Sequence, residues 1–187
     1  MKKVFVVSKT HLDLGFTDYA ENIRRKYIES YIPGAISLAK QLNTPNKKQF
    51  IWTTGSWILK EALQDEDTAR RKNLEYAIRR GDIVPHAMPF TTHTELLDEE
   101  TLNYGLSIVD DLDALRGRKT VAAKMTDVPG HTRSLVPLLA KKRNKTSSHR
   151  GKRCFRPCRC SRVLFMERRK IRNNRYLFGH IRRSVQM

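Results

Sequence analysis

An α/β fold follows from two features of the first 140 residues. Short apolar strands alternate with amphipathic helices, and three polar clusters each sit directly behind a strand. Alternation of this kind places the strands in a parallel sheet joined by right-handed crossovers. There is no internal repeat and no glycine-rich phosphate loop. The short, widely spaced strands suit either a β/α barrel or a doubly wound sheet.

The elements read as follows. "KVFVVS" (3–8) is β-branched and aromatic, as in a strand buried on both faces. Asp18 is placed to cap a helix carrying Ile23, Tyr27, Ile28 and Tyr31 at helical spacing. Pro33 suits the first turn of a further helix, "PGAISLAKQL". After the loop "NTPNKK" comes a second strand, "QFIWTT", then the helices "SWILKEAL" and "EDTARRKNLEYAIRR". Gly81 stops the latter, because a residue without Cβ takes up the left-handed cap conformation cheaply. "DIVPHA" is a third strand that Pro85 keeps short. Asp98 caps "EETLNYGLSIVDDLDAL", "TVAAKM" is the fourth strand, and "TRSLVPLLAKK" opens a last helix. Trp52 and Trp57 read as core.

Charge divides the chain. Residues 1–140 carry 20 Lys and Arg against 18 Asp and Glu, whereas 141–187 carry 17 against one, Glu167. The overall charge of +18 therefore belongs almost wholly to the tail. The apolar run at the amino terminus is far too short for a signal peptide, and no run approaches the roughly 18 residues of a membrane span. No membrane partner is expected, and the cytoplasm is the default compartment.

In a parallel sheet "THLD", "PFTTHTE" and "TDVPGH" all emerge at the carboxyl edge, where β/α folds build their sites. His11 and Asp13 are two apart, so at an extended strand end their side chains point the same way. Imidazole and carboxylate are common ligands of a zinc-like metal, although a lone His-x-Asp is more often a turn with a satisfied histidine. Asp127, ending the fourth strand, could reach the same ion.

On these residues the chain resembles glycoside hydrolase family 38, the retaining α-mannosidases. "HLDLGF" is similar to that family's His-x-Asp-x-Gly-Trp segment, and "TDVPGHTRSLVPLL" to its Asp-Pro-Phe-Gly-His-Ser segment. "KTHLDLGFTDYAENI", "HAMPFTTHTEL" and "AAKMTDVPGHTR" resemble a divergent bacterial branch more closely still, over residues 1 to about 142. The resemblance implies an incomplete β/α barrel of about four parallel strands in residues 1–140. It implies a zinc ion held by His11, Asp13 and Asp127, with Asp127 also the nucleophile. Phe16, standing where the family has Trp, would stack on a sugar, and His93 and Glu95 would either face the substrate, an α-mannoside-like carbohydrate, or belong to a hydrogen-bonded loop. Phe16 and Val128-Pro129 depart from the family's pattern. The family's fourth ligand, a histidine, and its general acid come later in its chain and have no counterpart here. His131 reads as a supporting or helix-start residue.

From Lys141 the periodicity stops and arginine dominates, as in a disordered tail. Such a polycation would hold nucleic acid nonspecifically, through counterion release. Cys154, Cys158 and Cys160 fit no common zinc spacing. Codons for 143–187 can be chosen so that a reading one base forward continues an ordinary β/α sequence. Residues 141–187 are therefore expected to be an out-of-frame basic tail, which resequencing would test. The expected function is an inactive fragment of a zinc-dependent, α-mannosidase-like hydrolase. A basic-tailed nucleic-acid-binding protein and a metal-dependent carbohydrate deacetylase on a similar barrel are the alternatives.

Overall fold

The computed structural model describes residues 7–125, 127–128 and 131–144, and the backbone of the short segments 165–166 and 178–179. The chain is α/β. Strands β1 (Ser8–Lys9), β2 (Trp52–Gly55) and β3 (Ile83–His86) form a parallel sheet in that order. Most of the first expected strand, "KVFVVS", lies outside the described residues.

The first crossover is one continuous helical run rather than two helices. Helix α1 (Ala20–Lys26) passes through a π-helical turn (Tyr27–Tyr31) into α2 (Ile32–Leu42). Pro33 lies in the first turn of α2, where its missing N–H and its ring would otherwise break the helical ladder. The widened turn just before it absorbs that defect. Asp18 is not the helix cap; Tyr19 is. The Asp18 carboxylate instead accepts from the Tyr19 amide at 2.7 Å and from Asn22 Nδ2 at 2.9 Å.

Helices α3 (Ser56–Ala62) and α4 (Thr68–Arg80) form the second crossover. Asp67 caps α4 by accepting from the amides of Ala69 and Arg70, and Gly81 ends it at φ 71°. Asp98 caps α5 (Glu99–Arg116) through the Thr101 amide, and α6 is Leu135–Asn144. No helix among the described residues is long and apolar enough to cross a membrane.

The expected fourth strand is not formed as such. "TVAAKM" runs beside β3 but makes a single ladder bond, from the Ala87 amide to the Ala122 carbonyl at 2.9 Å. Pro85 supplies the reason. Even-numbered residues of β3 and its flanks face β2, as the bonds from Trp52 to Asp82 and from Ser56 to Met88 show. Pro85 therefore faces the fourth segment, and it has no N–H to donate.

Register sorts the two faces of the sheet. Trp52 and Ile83 pair on the helix side and join Leu12, Ile58, Leu59, Leu74, Ile78 and Leu112 in the main core. Lys9, Thr53 and Val84 share the opposite face, with His86 beyond them. The alternation continues in 120–125, where Ala123 and Met125 pack against α5 and α6. Lys124 faces away from that core, and its Nζ donates to the Thr10 carbonyl at 3.1 Å. In a flat sheet these edge segments would stand roughly 14 Å apart, three strand spacings, farther than a lysine side chain spans. The sheet therefore curls, concave on its helix-free face.

Residues 141–144 continue α6, and Phe165–Met166 (β4) pairs antiparallel with Phe178–Gly179 (β5). The rest of the basic tail, its cysteines included, lies outside the described residues.

Candidate metal centre

Curling of the sheet brings the two ends of the described fold together. Leu12, 5% exposed, is packed into the main core, and the alternation about it turns His11 and Asp13 to the other side. His11 Nε2 lies 2.8 Å from Asp13 Oδ1 and 3.5 Å from Asp127 Oδ2. One donor atom from each of the three falls within 4.8 Å of the others. Asp127 reaches this position from a backbone at φ 64°, the left-handed region that aspartate tolerates better than most residues.

Two contacts to His11 and one to its neighbour hold this strand end in place. Thr91 Oγ1, from the loop after β3, sits 3.2 Å from His11 Nδ1. In the tautomer with Nδ1–H donating to that hydroxyl, the Nε2 lone pair faces the carboxylates. The Tyr27 hydroxyl donates to the His11 carbonyl at 3.0 Å. Burial, with Tyr31 and Asp13 adding to it, pushes the Tyr27 phenol up to about 12, so it remains a donor. Lys124 holds the carbonyl of the preceding residue, Thr10.

The donor set fits a divalent metal. Four-coordinate zinc with bonds of about 2.0–2.1 Å sets its ligand atoms roughly 3.3 Å apart. The two histidine–carboxylate separations bracket that spacing. One imidazole and two carboxylates leave coordination positions for a further ligand or water.

The other expected site residues are not members of this donor group. Phe16 is 85% exposed on the turn after Asp13. His93 and Glu95 are exposed, with Nδ1 and Oε1 4.0 Å apart. Between them Thr94 is buried, and its Oγ1 accepts from the Thr132 amide at 3.0 Å and lies 3.3 Å from His131 Nδ1. His131 thus ties the loop after β3 to the segment after Asp127. Burial lowers its pKa, although Glu95 pulls the other way. Trp52 is core, and Trp57 stacks edge-on against Phe90 at 5.7 Å.

Sequence reasoning missed Thr91, Tyr27 and Lys124. Only Lys124 left a signal: a lone cation within an apolar strand pattern. Comparison of the chain with protein-family models, with curated proteins and with solved structures finds no match.

Proposed function

We propose that this chain carries the metal-binding and nucleophile portion of a zinc-dependent retaining glycoside hydrolase site of the α-mannosidase type. The observation that carries the reading is the convergence of His11, Asp13 and Asp127 at one sheet edge. The curl of the sheet supports its finer part, an incomplete β/α barrel with the site at its mouth.

His11, Asp13 and Asp127 would hold the ion. When bound, it would supply Lewis-acid charge to orient vicinal sugar hydroxyls and offset charge in the transition state. Asp127 is largely solvent-accessible, with a side chain 80% exposed, so its carboxylate is open to a sugar arriving from outside. In the retaining mechanism one Asp127 oxygen attacks the anomeric carbon as the bond to the leaving group breaks. The resulting glycosyl ester is then hydrolysed by water. Phe16 offers an exposed aromatic face for the sugar, and His93 and Glu95 offer polar partners on the next loop. A second carboxyl must protonate an ordinary leaving group, and no residue described here is assigned that role. The chain alone is accordingly proposed to be inactive on natural glycosides. The basic tail contributes only salt-sensitive, sequence-blind attraction to nucleic acid.

An activated fluorosugar tests this reading, because fluoride departs without a proton donor. Incubated with zinc and a mannose-configured fluorosugar, the protein should gain one sugar mass, mapped to Asp127. Absence of the label together with metal-dependent release of acetate from an acetylated sugar would favour a deacetylase instead.

A further inference from the structure

We infer that Lys124 is a positioning residue for the metal centre, fastening the strand end that presents His11 to the segment that presents Asp127. This inference rests on the metal reading above and adds a residue to it. Lys124 stands three residues before Asp127, and the carbonyl it holds belongs to Thr10, the residue before His11. The contact closes the open side of the curl. Along the sheet, Thr10 is connected to 120–125 only through β2 and β3. Its own amide donates to the Thr53 carbonyl at 3.1 Å, while a single ladder bond joins Ala87 to Ala122. The direct Lys124 bond spans all of these at once. Loss of that bond would let the two carboxylates and the imidazole drift apart without unfolding either element.

The position is a costly one for stability. Lys124 is 6% exposed, and among the described residues no carboxylate pairs with it. Burial, with Lys9 adding repulsion, brings its pKa down to about 8. A methionine of similar length would fill the same space without a buried charge. Helix-side packing does not need the ammonium, since Ala123 and Met125 supply that face. A side chain that lowers stability where it sits is explained by the bond it makes beside the site.

The test compares zinc and cobalt affinity, by competition against a chromophoric chelator, in the full chain and in three variants. Lys124→Met should weaken metal binding at least about tenfold, the usual scale for an outer residue that orients a ligand. Its metal-free melting temperature should equal or exceed that of the parent protein. Its cobalt visible spectrum should change, reporting an altered ligand arrangement. Lys124→Gln, too short to reach Thr10, serves the same purpose and stands in if the methionine variant does not fold. Lys48→Met is the stability control, because Lys48 bonds Asp82 and the Arg80 carbonyl at the far end of β3. It should lower the melting temperature and leave metal affinity and spectrum unchanged. A folded Lys124 variant that binds cobalt with parental affinity and spectrum overturns the inference and leaves the metal centre standing. A parent protein that binds neither metal overturns both.

Discussion

Thr91 Oγ1 lies 3.2 Å from His11 Nδ1, although the two residues leave the sheet on different strands. This contact selects the ring nitrogen that faces Asp13 and Asp127. Thr91→Val keeps the shape and removes the hydroxyl. Zinc affinity should fall about tenfold, while stability changes by about 1 kcal/mol or less. Thr91→Ser should restore most of the affinity. Chelator competition and thermal melts measure the two quantities separately.

Asp13 and Asp127 should separate when replaced. Asp13→Ala removes a ligand charge, so metal occupancy and fluorosugar labelling should fall together. Asp127→Asn keeps the shape and one oxygen donor but no longer has a nucleophilic carboxylate. It should retain much of the metal and lose labelling by at least about a thousandfold. Near-normal labelling of Asp127→Asn would make Asp127 a structural residue and end the retaining-hydrolase reading. Intact-mass spectrometry with parallel metal analysis gives both numbers.

Much of this geometry could be read from residue patterns, and the remainder shows where such patterns run out. Strands β2 and β3, the cap at Asp98 and the stop at Gly81 are local events, decided by a few neighbouring side chains. His11, Asp13 and Asp127 could be grouped because a parallel sheet sends every strand's carboxyl end to one edge. The π-helical turn before Pro33 could not be read, since a proline announces a defect without saying how the helix absorbs it. The apolar pattern of "TVAAKM" is strand-like, but its pairing depends on a donor that Pro85 lacks. Lys124 and Thr91 depend on the curl of the sheet, which side-chain periodicity does not encode.

Gly55 should be intolerant of any side chain. A Cβ there would stand 2.1 Å from the Pro89 carbonyl oxygen, a backbone atom that cannot swing away. The close approach is fixed by the first amides of α3, which reach the same loop: Ser56 donates to the Met88 carbonyl and Trp57 to that of Pro89, each at 3.2 Å. Gly55→Ala should therefore cost about 3 kcal/mol or more, as backbone and helix are forced apart. It should also weaken metal binding, because Thr91 lies two residues beyond Pro89. Urea denaturation showing less than about 1 kcal/mol of destabilisation would contradict the close packing at this point.

His86 should make the fold acid-sensitive in a defined window. It is 5% exposed, and burial, with Lys124 and Lys9 adding repulsion, holds its pKa down at about 3. An unfolded histidine titrates near 6.5. Between these values the unfolded chain binds a proton that the folded chain refuses, so stability falls as pH drops from about 6.5 towards 3. Above about pH 7 the imidazole is neutral in both states and contributes no slope. Lowering the pH from 7 to 4.5 should cost on the order of 2 to 3 kcal/mol through this group. The interval from pH 7 to 4.5 stays above the ordinary aspartate value, so the paired carboxylates Asp65 and Asp82, whose pKa values are lowered, add little to that loss. His86→Leu should remove most of that slope. It should leave stability at pH 7 equal or higher, because His86 Nδ1 is buried without a hydrogen-bond partner among the described residues. Urea denaturation of the metal-free protein at the two pH values measures the slope directly. An equal acid loss in parent and variant would show that His86 is not the group taking up the proton.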